Sequence, residues 1–259
     1  MLKDSDFKKV SDNPLYIRYI DNPKDELIFE ALKKNGAAIK YIKNPSFDMK
    51  KLAIKNNPMA IEYISEIEEE LAILSVKYLW NSLKYIKNPS DNVIKEAIFM
   101  KGWAIQFVDN PSKEIQLLAV KRDFDAIKYI KNPSEEVQLA AIENYWGAIR
   151  FIEKPTLSAR REAVKRDEEA INYISYTLDE LKILISENIN IVKYVYDSID
   201  VDMVIDVLIG KINTDEVNEK YIRDFLELEI LEMDKVNFIR EYGSKRAKIL
   251  LVDYKLANV

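Results

Sequence analysis

Three groups of acids stand close enough in sequence to do acid–base work or to hold a hard cation: Glu135/Glu136, Asp167/Glu168/Glu169 and Asp200/Asp202. Each sits where a helix begins or a loop turns, and acids are common there because the positive end of the helix dipole favours them. Around them the usual catalytic partners are missing. The 259 residues include no His, which removes the common proton shuttle and the commonest zinc ligand. They include no Cys, which removes thiolate metal sites, disulfides and cysteine nucleophiles. The run Asp197-Ser198-Ile199-Asp200-Val201-Asp202 lacks the glycine and closing glutamate of a calcium loop. With 5 glycines, three of them at helix ends, a glycine-rich phosphate loop is hard to build. The reading is a non-enzymatic chain with no catalytic residue, no cofactor and no metal site.

Cations and aromatics offer binding rather than catalysis. Lys40, Lys84, Lys128 and Arg150 recur at one position of a repeating unit, in a column that also holds Arg18, Glu62 and Gln106. Periodic cations on a stacked scaffold can meet an acidic protein or follow a phosphate backbone. A second column, Lys33, Lys55, Lys77, Phe99, Lys121, Glu143 and Lys165, falls near helix C-termini, where cations favour the dipole. Trp80, Trp103, Phe124 and Trp146 are placed in the segments joining units, outside the repeat consensus. With Trp enriched in interface hot spots, these four and the four cations are the candidate partner-binding residues. The Tyr/Phe column at 41, 85, 107, 129, 151 and 173 is expected in the core.

The elements that must position these side chains follow from a period. Aromatic residues fall at Tyr19, Tyr41, Tyr63, Tyr85, Phe107, Tyr129, Phe151 and Tyr173, a spacing of 22 residues throughout. Prolines keep the same spacing at 23, 45, 89, 111, 133 and 155, with one missing near 67. Self-similarity at such a period is the signature of a helical array in which each unit buries its apolar face on its neighbours.

The clearest unit, AIKYIKNPSEEVQLAAIENYWG from Ala126 to Gly147, reads as two helices. Ala126, Ile127, Tyr129 and Ile130 form one side of a first helix of one to two turns. Lys131-Asn132-Pro133 stops it, because the residue before proline is driven out of the α region. Ser134 then caps a second helix of about eleven residues, as Ser46, Ser90, Ser112 and Thr156 do in their units. Val137, Ala140, Ala141 and Ile142 form its buried stripe. The small column Ala31, Ala53, Ala97, Ala119, Ala141 and Ala163, with Ser75 in the odd unit, allows close helix approach. Gly36, Gly102 and Gly147 are expected as left-handed caps ending second helices.

Two units depart from the pattern. Residues 60–81 replace Asn-Pro-Ser by Ser65-Glu66-Ile67-Glu68, and residues 170–191 by Thr177-Leu178-Asp179-Glu180; both read as capping boxes. Beyond about 177 the period fades, and 201–212, 215–232 and 244–256 read as longer helices. The domains are therefore 1–176, about eight repeats beginning near 16–37, and 177–259, a C-terminal helical cap. Residues 1–176 carry 28 basic and 27 acidic side chains, a net +1; residues 177–259 carry 11 and 17, a net −6. The near-neutral array lacks the basic footprint of a nucleic-acid binder. The start Met1-Leu2-Lys3-Asp4-Ser5-Asp6 is unlike a secretory signal, and no apolar run approaches a membrane span, so a cytoplasmic location without membrane association is expected.

The unit AIKYIKNPSEEVQLAAI resembles the short helical-hairpin repeats found in tandem in bacterial and phage proteins, within the HEAT-like α-solenoids. The resemblance covers about residues 16–191. It implies an all-α, right-handed α-solenoid of short helical hairpins whose function is to bind. The expected partner is another protein, such as a host complex that a phage or bacterial inhibitor would regulate. Nucleic acid along the Lys/Arg ladder and self-assembly into a homo-oligomer are the alternatives.

Overall fold

Each 22-residue period folds into a six-residue 3₁₀ helix followed by a ten-residue α-helix. In the computed structural model residues 4–258 are described, Asp4 by its backbone alone, so the opening Met1-Leu2-Lys3 lies outside the described residues. The α-helices are α1 (Asp4–Asp12), α2 (Asp25–Lys34), α3 (Phe47–Asn56), α4 (Glu69–Tyr78), α5 (Asp91–Met100), α6 (Lys113–Arg122), α7 (Glu135–Asn144), α8 (Leu157–Arg166) and α9 (Leu178–Glu187). Between them run the short helices Pro14–Tyr19, Gly36–Tyr41, Pro58–Tyr63, Trp80–Tyr85, Gly102–Phe107, Phe124–Tyr129, Trp146–Phe151 and Glu168–Tyr173. The first helix of each unit is thus 3₁₀ and opens two residues earlier than the apolar spacing suggested, at Phe124 rather than Ala126. Among the described residues there is no strand. The fold is an all-α solenoid.

The chain divides into two compact units, Met1–Lys131 and Asn132–Val259. In the first, α2 packs on α3, α3 on α4, α4 on α5 and α5 on α6, while the short helices stack in a parallel row of their own. In the second, α7 packs on α8 and α8 on α9, and the short helices Trp146–Phe151 and Glu168–Tyr173 lie side by side. After α9 the alternation gives way to α10 (Val192–Val195), α11 (Val201–Ile212), α12 (Glu219–Glu227), α13 (Lys235–Tyr242) and α14 (Lys245–Ala257). The helix expected over 215–232 is shorter than its apolar pattern, and α13 lies between the helices expected over 215–232 and 244–256.

The core is built from the small column and a repeated Ala-Ile pair. Ala31, Ala53, Ala97, Ala119, Ala141 and Ala163 have no exposed surface. So do Ala38, Ala60, Ala104, Ala126, Ala148 and Ala170 of the short helices, each followed by a buried isoleucine. The one layer that breaks this column does so twice: Ser75 and Ser82 replace alanines, and their hydroxyls pair at 2.8 Å, with Ser75 also 2.8 Å from the Pro58 carbonyl. A buried polar group kept with its partner avoids the cost of an unsatisfied hydroxyl. Of the Tyr/Phe column expected in the core, Tyr41, Phe151 and Tyr173 are instead exposed and Tyr85, Phe107 and Tyr129 are half-buried; the same position carries exposed Tyr19 and Tyr63 in other layers. The 3₁₀ turn accounts for this. With three residues per turn the Ala-Ile pair fills the inner side, and the last residue of six is left at the rim.

Turn and cap chemistry differ in part from the reading of the sequence. The left-handed residue is the asparagine before proline: Asn22, Asn44, Asn88, Asn110 and Asn132 have φ of 47° to 49°. Asn is among the few residues that tolerate this region. The glycines do not take positive φ. Gly36 and Gly102 open short helices where the backbone runs against the next α-helix; a methyl placed on Gly102 would lie 2.5 Å from the Ala119 carbonyl oxygen. Ser46, Ser90, Ser112 and Thr156 accept from the backbone three residues on, as expected, but Ser134 holds the cap backbone without that bond. Thr177 and Glu180 form a full capping box. Ser65 does not, since α4 begins at Glu69 with Glu68 at the cap, in register with the other layers.

A second periodic device closes the other helix ends. Lys34, Asn56, Arg122, Arg166 and Asn188 share one register and reach back one layer to the carbonyls of Ser11, Lys33, Phe99, Glu143 and Val164, at 2.7 to 3.2 Å. The last carbonyls of an α-helix have no partner within it. Here the next layer supplies one.

Candidate functional site

The row of short helices gathers the predicted aromatics and cations. In a 3₁₀ helix residues i and i+3 eclipse, so the second and fifth positions of each short helix form one outward line. In the first unit that line runs through Ala37/Lys40, Asn81/Lys84, Trp103/Gln106 and Asp125/Lys128. Trp80, Phe124 and Trp146 are the first residues of short helices and Trp103 the second, so the four belong to the repeat's helices rather than to the segments between them. All four are half-buried.

Trp103 is the centre of the best-formed cluster. Lys128 Nζ lies 3.9 Å from its ring centroid and Lys101 Nζ 4.8 Å. The Tyr129 ring meets it edge-on at 6.1 Å, and its indole N–H donates to Asp125 Oδ1 at 2.6 Å. One layer before, Trp80 stacks on Phe107 at 6.0 Å. Lys40 lies 5.2 Å from the Tyr63 ring and Lys84 4.7 Å from that of Tyr85. In the second unit Trp146 and Arg150 converge on Tyr173, at 6.4 and 5.4 Å. Of the predicted residues, Trp103 and Lys128 meet in the first unit, and Trp146 and Arg150 come together at Tyr173 in the second. A cation over an exposed ring is worth about 0.5–1 kcal/mol. It holds the ring's orientation, and the ring's outer edge remains available to a partner.

Arg18 shows the same device at the first layer, bonded to the Tyr19 hydroxyl. That bond, then Tyr41, raises its already high pKa. The sequence reading missed that Tyr41, Phe151 and Tyr173 of the ring column lie at the surface. The available signal was its position, last in a unit whose inner side the Ala-Ile pair already fills.

A second feature appears where proline is missing near 67. A cleft of about 520 Å³ opens between the loops after Pro58–Tyr63 and Trp80–Tyr85, floored by Ile67 and Val93 and walled by Tyr63 and Tyr85. Ser90 and Asn92 both donate to Glu69 Oε1 at its edge, at 2.5 and 3.3 Å. The acidic run beside it is held by cations of the preceding layer. Lys50 Nζ bonds the Glu66 carbonyl at 2.9 Å and Glu68 at 3.1 Å, and Lys51 bonds Glu70 at 2.7 Å. Glu68's own backbone N–H, then Lys50, hold its carboxyl below the ordinary range.

The carboxylates singled out for chemistry serve local structure. Asp167 accepts from the Glu169 N–H and Asp200 from that of Asp202, each at 2.9 Å, while Glu135 and Glu136 occupy the first turn of α7. Among the described residues no group of three or more acids is arranged to hold a metal ion, and no helix is long and apolar enough to cross a membrane.

The chain has no match among curated proteins or among solved structures. Residues 24–67 match a family model described as a domain of unknown function, DUF4116. That stretch is two periods of the repeat, holding α2 and α3 with the short helices Gly36–Tyr41 and Pro58–Tyr63.

Proposed function

We propose that this chain is a non-enzymatic, HEAT-like scaffold that offers its row of short helices to another protein, as an inhibitor or regulator of a bacterial or host complex. The observation that carries the reading is the Trp103 cluster, a half-buried indole fixed by Lys101, Lys128, Tyr129 and Asp125. Such rigid, amphipathic aromatics lose little freedom on binding and commonly anchor interfaces. A few stacked layers can supply the ~800 Å² per partner of an ordinary specific interface. The test is affinity capture from a bacterial lysate with quantitative mass spectrometry, using the native chain and Trp103→Ala/Lys128→Glu. A protein enriched by the native chain and lost with the variant supports the reading; equal recovery by both would remove the cluster from the interface.

A second reading rests on the same rings. Aromatics repeated from layer to layer, several with a cation over the ring, form the kind of stacking platform that holds single-stranded nucleic acid. It requires binding of a labelled oligonucleotide that weakens steeply with salt. Absence of binding at low salt eliminates it.

A further inference from the structure

Three cations near helix starts in the second unit have partners. Arg160 and Arg161 of α8 bond Glu180 and Glu187, and Lys235 of α13 bonds the Leu226 and Leu228 carbonyls. In α14 the pattern breaks. Lys245 and Arg246 of its first turn and Lys248 just beyond form no ion pair among the described residues, nor does Lys255 of its last turn. The first turn holds no acid, so the three stand uncompensated against the positive end of the helix dipole. The helix is also apolar on two sides. Ala247, Leu250 and Leu251 are buried where it packs on α12 and α13. Ile249, Val252 and Leu256 face away and are 49, 54 and 73% exposed, so the lysine stems beside them do not cover them. Neither the cations nor the outer stripe stabilises the fold.

We infer that the outer face of α14 is a docking site for an acidic amphipathic helix of a partner protein. Ile249, Val252 and Leu256 follow spacings of three and four, the seam along which two helices pair. A depression of about 510 Å³ lies along it, lined by Ile249 and Val252 with Lys245, Lys248 and Asp253. In the register of that seam Lys248 and Lys255 flank one side and Arg246 and Asp253 the other. Such flanking positions select a partner helix by charge, and three cations against one acid call for glutamates. A second copy would instead bring two cationic faces together. An anionic membrane also suits cations beside aliphatics, but it is an extended plane. Here α14 rests on α12 and α13, whose stretch 213–243 carries nine acids against four bases and would be repelled by it. A single helix meets the stripe alone.

The inference uses none of the residues of the Trp103 cluster, so it and the scaffold reading can fail separately. The probe is a fluorescein-labelled synthetic helix of about 18 residues, leucines along one seam and glutamates flanking it, titrated with the full chain by anisotropy. A second peptide carries lysines in place of the glutamates. Lys245→Glu/Lys248→Glu puts acids where the helix dipole favours them, so its circular-dichroism melt should not fall. Saturable binding of the acidic peptide, weakened about tenfold or more by that variant and by Val252→Glu but unchanged by Trp103→Ala, supports the site. So does a gain of lysine-peptide binding in Lys245→Glu/Lys248→Glu, which a merely disrupted helix would not give. No binding of the acidic peptide, equal binding of the lysine peptide by the native chain, or no effect of Val252→Glu overturns it. Sedimentation with phosphatidylserine vesicles that Val252→Glu abolishes would make a membrane the occupant and overturns it too. So does light scattering that shows a dimer abolished by Val252→Glu, which would make a second copy the occupant. Loss with Trp103→Ala alone would refute this site and leave the scaffold reading standing.

Discussion

The two rows of helices manage exposed charge in opposite ways. On the α-helical row, cations of one layer pair with acids 19 residues later: Lys51 with Glu70, Lys77 with Glu96 and Lys95 with Glu114, at 2.7 to 3.7 Å. On the row of short helices the cations rest on rings instead. The difference follows from helix type. A ten-residue α-helix sends charged side chains sideways toward its neighbours, whereas a six-residue 3₁₀ helix ends in an aromatic rim and lines its outward residues in single file. From α3 to α6 these pairs link each helix to the next, and Phe99 of α5 stands exposed among them. The short helices instead leave Tyr19, Tyr41, Tyr63, Phe151 and Tyr173 at the surface.

If the Ala-Ile pair and not the ring column is the core, their truncations differ most of all. Ile105→Ala removes a fully buried side chain and should cost about 2–5 kcal/mol in urea unfolding. Tyr63→Ala, at the exposed rim, should cost well under half as much. Similar losses would return the rings to the core and break the contrast between the rows.

Next in size is the joint between the rows. Gly102→Ala drives a methyl against the Ala119 carbonyl and should cost about 1–3 kcal/mol, as overpacking does. Trp80, Phe124 and Trp146 occupy this position in other layers, so the joint can open, and a larger loss is not expected. At Gly147 the nearest atoms belong to the side chains of Tyr145 and Arg150, which can swing away. Gly147→Ala should therefore cost less, and the same measurement in both variants decides it.

The period of 22 was legible because it recurs through eight aromatics and six prolines, and the same spacing located nearly every helix. What could not be read was geometry that a spacing does not carry. Whether the first helix is α or 3₁₀ decides which side its final ring takes, and Tyr19 to Tyr173 look identical in sequence under either pitch. The glycines were assigned to a left-handed turn that Asn22, Asn44, Asn88, Asn110 and Asn132 already make. The back-reaching donors were hidden by their variety, since Lys34, Asn56, Arg122, Arg166 and Asn188 share a role but not a residue type. Of the candidate site, the residues of the Trp103 cluster were named, but not that Asp125 and Lys101 complete it.

Cap chemistry gives a smaller contrast. Ser112→Ala removes an oxygen that accepts from the Ile115 N–H at 3.4 Å and should cost about 0.5–2 kcal/mol, toward the low end for so long a bond. Ser134→Ala removes no such bond and should leave the urea midpoint nearly unchanged. Equal losses would mean that the position, not the hydrogen bond, sets the value of the cap.

Acid tests the cap of α9. Arg160 bonds both Glu180 oxygens, at 2.7 and 3.0 Å, and the Thr177 N–H donates to one of them at 2.9 Å. Arg160, then Thr177, hold the Glu180 carboxyl below its ordinary value. A carboxylate with a lowered folded-state pKa contributes stability above its unfolded value, lost as pH falls through the folded one. Thermal melts should therefore weaken below pH ~4. In Glu180→Gln that part of the decline should be absent and the midpoint at neutral pH lower; a variant with an unchanged acid limb would show that other carboxylates govern it.

The charge ladder should matter least. Glu114 raises the Lys95 pKa, first through their hydrogen bond and then through charge, yet both side chains are exposed and free to solvate if parted. Exposed pairs of this kind return little, because ordering two long side chains offsets a Coulomb term that water and salt already weaken. Lys95→Ala, Glu114→Ala and the double variant should therefore melt within experimental scatter of the native chain at high salt, with a coupling visible only at low salt. A coupling that survives high salt would mean that the ladder fastens the layers together, as the buried alanines do. Its absence would leave the ladder as a means of keeping the α row soluble and closed to unwanted contacts.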